Sequence, residues 1–172
     1  QTGNRPDRAT ISYTAKSKEA FKGIPVIIGG IEASLRRLVH YDFWQDKVRG
    51  SIILDAKADL LVHGMGEHQV VEIAKRLAAG KSIKDCRDIN GTLYALGGKE
   101  SPPEGALPLP SLEACRKDGR AFASMTVESY RQANPHCGKP LVQAHGSRWI
   151  VQMPPAVPLT TSELDRVHEL PY

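Results

Sequence analysis

At 172 residues, with 41% hydrophobic and 24% charged residues, the chain is sized for one ordinary globular domain, or one with a small appendage, with length enough to bury a core. Its formal charge of +4 is spread along the sequence without aromatic interleaving, which argues against nucleic acid as a partner. No run approaches the roughly eighteen apolar residues of a membrane helix, and the polar start Gln1-Thr2-Gly3-Asn4-Arg5 is not a signal peptide, so neither a membrane nor secretion is expected and we read the protein as cytoplasmic.

Gln1 to Arg5 are expected to be loose. Pro6 and Asp7 make a good first turn, and Ala9, Tyr13 and Ala20 mark a helix face that ends before Gly23, a C-cap. The helix feeds Pro25-Val26-Ile27-Ile28, an apolar β-branched run without alternation, the pattern of a strand covered on both faces in a parallel sheet. Gly29-Gly30 then turns the chain into a helix whose stripe is Ile31, Leu35, Leu38 and Val39, at i, i+4, i+7 and i+8. A helix leading straight into a central parallel strand is an unusual opening, and earlier strands are expected to lie before Gln1. The Gly-Gly junction has two readings: a ligand site at the carboxyl end of a strand, with helix amides suited to an anion, or simply a turn.

His40-Tyr41-Asp42-Phe43-Trp44 groups three aromatics that either cover an edge of the site or complete the core; core packing is the expectation. Ser51 is placed as the cap of a short helix holding Ile52, Ile53 and Leu54, followed by a strand over Asp59 to His63. Gly64-Met65-Gly66-Glu67-His68 repeats the opening arrangement. Val70, Ile73, Ala74, Leu77 and Ala78 then form an amphipathic helix closed by Gly80. Two strand-glycine-helix units in succession predict a parallel, wound sheet with both turns on one rim. Glu67 at a helix start either stabilises that helix or contacts a ligand. His63 and His68 are open to reading as a metal pair or as structural residues.

Ile89-Asn90-Gly91 is a turn and Thr92 to Leu96 a further strand. The composition shifts at Gly97 toward glycine and proline, and residues 98–110 are the expected linker between residues 1–97 and 111–172. Ser111 caps a helix through Arg116, and Phe122, Met125, Thr126 and Tyr130 mark another that stops near Asn134-Pro135. Leu141 to His145 and Arg148 to Met153 flank Gly146-Ser147, a two-residue loop with glycine first, as a type II′ hairpin turn prefers. Trp149, Val151 and Met153 share one face. His145 and Arg148 are either a polar pair or a solvated turn. After Pro154, Pro155 and Pro158, Thr160 with Glu163 forms a capping box opening a last helix, with Leu164 and Val167 inward until Pro171.

No phosphate-binding loop with Lys-Ser/Thr, no Gly-x-Ser-x-Gly elbow and no His-Glu-x-x-His pair is present. Cys86, Cys115 and Cys137 lie 29 and 22 residues apart, a spacing of no zinc, thioredoxin or iron-sulfur motif, and are expected to be reduced thiols. From the residues alone the result is an α/β ligand-binding domain with an accessory piece.

Several stretches nevertheless resemble a known family. Arg5-Pro6-Asp7-Arg8-Ala9, Ile27-Ile28-Gly29-Gly30-Ile31-Glu32-Ala33-Ser34-Leu35-Arg36-Arg37, His40-Tyr41-Asp42, and Ala58 to Val62 followed by Gly64-x-Gly66-Glu67 look like the amino-terminal region of YgiQ-type radical S-adenosylmethionine proteins. Leu141 to Gly146, Pro154-Pro155-x-x-Pro158-Leu159-Thr160 and Leu170-Pro171-Tyr172 resemble the segment that precedes the catalytic barrel in that family. The resemblance covers nearly the whole chain in the same order.

It implies a parent protein, an Fe-S oxidoreductase in type, that carries a 4Fe-4S cluster on a Cys-x-x-x-Cys-x-x-Cys loop and cleaves S-adenosylmethionine. That loop would lie beyond Tyr172, so no cofactor or metal is expected in this fragment, which would be inactive alone. What remains is similar to the Rossmann-like, cobalamin-binding-like domain before many radical barrels, plus a helical and hairpin connector. The Asp-x-His-x-x-Gly of true cobalamin domains is absent. The expected partner is the radical barrel of the same parent chain, and the ligand-binding candidates are Gly29, Gly30, Ile31, Glu32, Ser34, Gly64, Gly66 and Glu67. The alternative is a freestanding nucleotide or cobalamin binder.

Overall fold

The computed structural model describes residue 3 and residues 6–171. The expected looseness of residues 1–5 falls, Gly3 apart, outside them. In chain order the elements are α1 (Ala9–Ala20), β1 (Ile27–Ile28), α2 (Gly30–Leu35), β2 (His40–Asp42), β3 (Lys47–Arg49), α3 (Ile52–Ala56), β4 (Leu60–Val62) and α4 (Glu67–Ala78). A single 3-10 turn, Ile83–Cys86, leads to β5 (Thr92–Ala95), β6 (Leu107–Leu109), α5 (Leu112–Lys117), α6 (Gly119–Arg131), β7 (Leu141–His145), β8 (Arg148–Gln152) and α7 (Thr161–His168). Among the described residues no helix is long and apolar enough to cross a membrane.

The class is α/β, as expected. Six strands form one sheet in the order β1-β4-β5-β8-β7-β6. β1 and β4 pair in parallel, Ile27 opposite Leu60 and Ile28 opposite Leu61, which is the Rossmann-like unit that the two glycine turns predict. Beyond it the sheet is mixed: β4–β5, β5–β8 and β7–β8 are antiparallel and β6–β7 parallel. Strands β6, β7 and β8, which follow residue 97, thus extend the same sheet as β1, β4 and β5.

Both faces are packed, which is why the strands read as continuous apolar runs. Alternation along each strand sends Ile28, Leu61, Leu93, Leu141 and Ile150 into one core with Ile52, Ile53 and Met125. The other face holds Leu60, Val62, Tyr94, Val142 and Val151 with Ile73 of α4. At β7–β8, Gly146 has a φ of 61° and Ser147 is not among the positive-φ residues, the pattern of the predicted type II′ turn. The capping box at Thr160 and Glu163 is formed, and the Ser111 side chain accepts from Ala114 N at 3.1 Å.

Several expectations are corrected. The helix after Gly30 has only six residues, so its predicted stripe breaks: Leu38 and Val39 are buried beyond the helix end, while Ile31 and Leu35 are 80% and 71% exposed. The aromatic run at 40–44 does not enter the core; it forms the hairpin β2–β3, whose Phe43 and Trp44 are 76% and 86% exposed and meet edge to face at 5.8 Å between ring centres. The face of α1 that packs is Ile11 and Thr14, with Tyr13 outward. Leu164 of α7 is exposed and Val167 only partly buried, so that helix lies on the surface.

Charged ties replace the missing apolar face of α1. Arg8 Nη2 donates to the buried carboxylate of Asp42 at 2.7 Å, Thr10 Oγ1 to Glu32 at 2.6 Å and Lys18 Nζ to Asp59 at 2.7 Å. Ser51 stands at the predicted N-cap of α3, but its hydroxyl donates to the Arg37 carbonyl and makes no capping bond, and its backbone N–H donates to His145 Nε2 at 3.1 Å. His145 is therefore a buried tie between β7 and the start of α3, and neither of its two sequence readings applies.

Candidate functional site

β5 runs antiparallel to both β4 and β8, so β8 points the same way as β4 and β1. Three carboxyl ends therefore meet at one rim. β1 ends in Gly29-Gly30, β4 in His63-Gly64 and β8 in Gln152-Met153. Open α/β sheets hold ligands at this kind of rim because strands end there and backbone amides are free to point outward.

The second glycine turn is bonded to the helix that follows the first. Gly64 N donates to Ser34 Oγ at 3.1 Å, so α2 is held over the end of β4. Gly30 and Gly64 have φ of 79° and 74°, the left-handed region where a side chain costs energy. Gly66 is needed for a different reason: its φ is ordinary, but a Cβ there would stand 2.7 Å from Val62 Cγ1. Absence of that carbon lets α4 begin directly against β4.

Arg37 builds the floor. Its Nε donates to Gln152 Oε1 at 2.8 Å and its Nη1 to the Ser34 carbonyl at 2.5 Å, joining the segment after α2 to the end of β8. His63 sits beneath it, 6% exposed. Burial, and after it the charge of Arg37, push this imidazole down to about 4, against a weaker opposing hydrogen bond with the Met153 backbone. His63 is thus neutral at physiological pH. Its Nε2 and the Oε2 of Glu67, at the first turn of α4, are buried without hydrogen-bond partners. A neutral imidazole nitrogen and a carboxylate oxygen with unused bonding capacity suit a polar ligand or an ordered water.

Of the predicted candidates, Gly29, Gly30, Ser34, Gly64, Gly66 and Glu67 fall on this rim. Ile31 lies beside it as an exposed apolar side chain. Glu32 turns away to α1, accepting from Thr10 N at 3.1 Å and lying 3.6 Å from Arg36. Arg37 and Gln152 were not predicted; their signal, an arginine and a glutamine each adjoining a buried apolar run, becomes specific only once β8 is placed. His63 and His68 do not act as a pair: His68 is on the surface, 3.3 Å from Glu163 of α7.

The cysteines do not fit an iron-sulfur cluster. Cys115 is packed in the core with α5, its thiol at 3.7 Å from the Pro110 carbonyl; Cys86 belongs to the opposite core, 3.9 Å from the Ser82 carbonyl; Cys137 is exposed. Burial raises the pKa of both buried thiols, the reverse of what a thiolate ligand needs. Among the described residues no group of three or more His, Cys, Asp or Glu is placed to hold a metal ion.

Comparison with known proteins agrees with the motifs. The family described as Radical SAM N-terminal matches residues 1–172. A UPF0313 protein of Geobacter sulfurreducens is 52% identical over 170 residues, covering 99% of this chain and 28% of that protein. UPF0313 proteins of Methanocella arvoryzae, 48% identical over 168 residues, and Bradyrhizobium diazoefficiens, 46% over 190, are covered to 28% of their length by 98% and 99% of this chain. No solved structure matches. The chain spans a little over a quarter of the length of these relatives. On its motifs, its rim and a match along its full length, the chain belongs to the Radical SAM N-terminal family.

Proposed function

We propose that this chain is the accessory, ligand-presenting part of a radical S-adenosylmethionine enzyme. The 4Fe-4S cluster and S-adenosylmethionine are held by protein outside these residues, and the rim carrying Gly30, Ser34, Gly64 and Glu67 faces the radical barrel and its substrate. The observation that carries this is the Ser34–Gly64 bridge, which ties α2 to the turn after β4 at the rim where β1 and β4 both end, near two buried polar atoms that lack partners. Family membership supplies the chemistry that the rim would serve.

Two measurements test it. Anaerobic reconstitution of this 172-residue chain with iron and sulfide is expected to give no stoichiometric cluster absorbance; a full cluster would overturn the reading. Amide exchange at residues 30–35 and 64–67 is expected to be slower in the full-length protein than in this chain, because covered amides exchange slowly. Equal rates would remove the rim from the interface. A nucleotide or cobalamin binder would use the same turns and the free amides at the start of α4. Calorimetric titration with adenine nucleotides and with cobalamin separates the two, saturable binding to the isolated chain favouring this second reading.

A further inference from the structure

We propose that the outer edge of β1, with the apolar groove beside it, is completed by an extended segment of the longer polypeptide lying outside these 172 residues. Among the described residues β1 ends the sheet, with β4 as its one strand neighbour. Beside it lies a groove of about 290 Å³ lined by Ile27 and Ile28 of β1, Val62 of β4, and Val70, Ala74 and Leu77 of α4. α4 forms its wall: Ile73 is buried against the core, whereas Val70, one turn earlier, is 57% exposed. Leu77 also lines a second, open cavity with the exposed Phe21 and Ile24, but there Lys18, Lys22, Lys81 and Asp59 join them, so the purely apolar stretch is the groove beside β1.

A helix that leaves an apolar flank exposed beside the last strand fits a sheet-and-helix layer short of one strand. Bare edges of hydrophobic strands also leave backbone donors and acceptors free to pair, which proteins ordinarily cover. An extended segment satisfies both conditions, since it pairs the backbone and places alternate side chains in the groove; a helix would leave the edge unpaired. The occupant is assigned to the same polypeptide because this chain makes up only 28% of its relatives' length, and covalent connection gives the remainder a high effective concentration. The inference stands on the edge and on that length, independently of what the rim binds.

The test uses the full-length protein with p-benzoylphenylalanine in place of Val70. Irradiation is expected to give a product of monomer mass whose crosslink maps to an apolar segment outside residues 1–172. In the same protein V70D is expected to lower the thermal midpoint by roughly 3 °C or more, as loss of a covered apolar contact should. A crosslink between two copies, or only within residues 1–172, would overturn the proposal, as would a V70D midpoint unchanged within roughly 1 °C.

Discussion

His63, buried at the end of β4, and Gln143, buried within β7, are polar residues in apolar surroundings, and each makes a measurable demand on them. For His63 the folded protein keeps the neutral ring, with a pKa of about 4 against 6.5 for the free side chain. As pH falls the unfolded chain takes up the proton first. The contribution of His63 is therefore complete above pH 6.5 and lost progressively toward pH 4, a loss on the order of 3 kcal/mol. Burial also lowers His40 and His145, so they act in the same direction. Urea midpoints measured from pH 7 to 4 should fall, and fall less steeply in His63→Gln; parallel curves would contradict the assignment. Gln143 is fully buried, its Oε1 accepting from Val39 N at 3.0 Å and its Nε2 donating to the Pro110 carbonyl at 2.9 Å. Gln143→Leu strands both backbone groups and should cost about 2 kcal/mol or more in chemical denaturation.

Among the elements, the junction of β4 with α4 is the most constrained, because Gly66 leaves just the room that Val62 fills. Gly66→Ala should destabilise by roughly 1–3 kcal/mol through overpacking. Adding Val62→Ala should recover part of that loss, and a double-mutant cycle reads the coupling. This element was visible in the sequence. An unbroken apolar run, glycines and an amphipathic helix each have one strong local meaning, and so do Gly146-Ser147 and the Thr160–Glu163 box. Elements that depend on distant partners were not visible. The aromatics at 41–44 look like core by composition, yet the chain turns at residues 43–46 and leaves the rings outside. Ile31 and Leu35 fit a helical stripe, but α2 stops before the stripe can be buried. Arg37 finds Gln152 across 115 residues of sequence, a pairing no local pattern announces.

At the scale of the whole molecule, one sheet binds early and late sequence together. β5 pairs with β4 on one side and β8 on the other, while Val39–Gln143 and Ser51–His145 add ties between the first and last thirds of the chain. Unfolding of the described fold should be a single cooperative transition, with tryptophan emission from Trp44 and Trp149 coinciding with far-ultraviolet circular dichroism. Separated curves would mean that residues before and after 98–110 unfold independently.

Because β8 runs in the same direction as β1 and β4, the polypeptide departs the sheet over the glycine turns. Gly91 N holds the Pro154 carbonyl at 2.7 Å, and the prolines that follow keep this strap stiff up to α7, which is moored back to α4 by His68 and Glu163. The exit from Gln152, which with Arg37 floors the rim, is thus pinned at both of its ends, at Gly91 and at α4, so the path over the glycine turns is fixed by this chain itself.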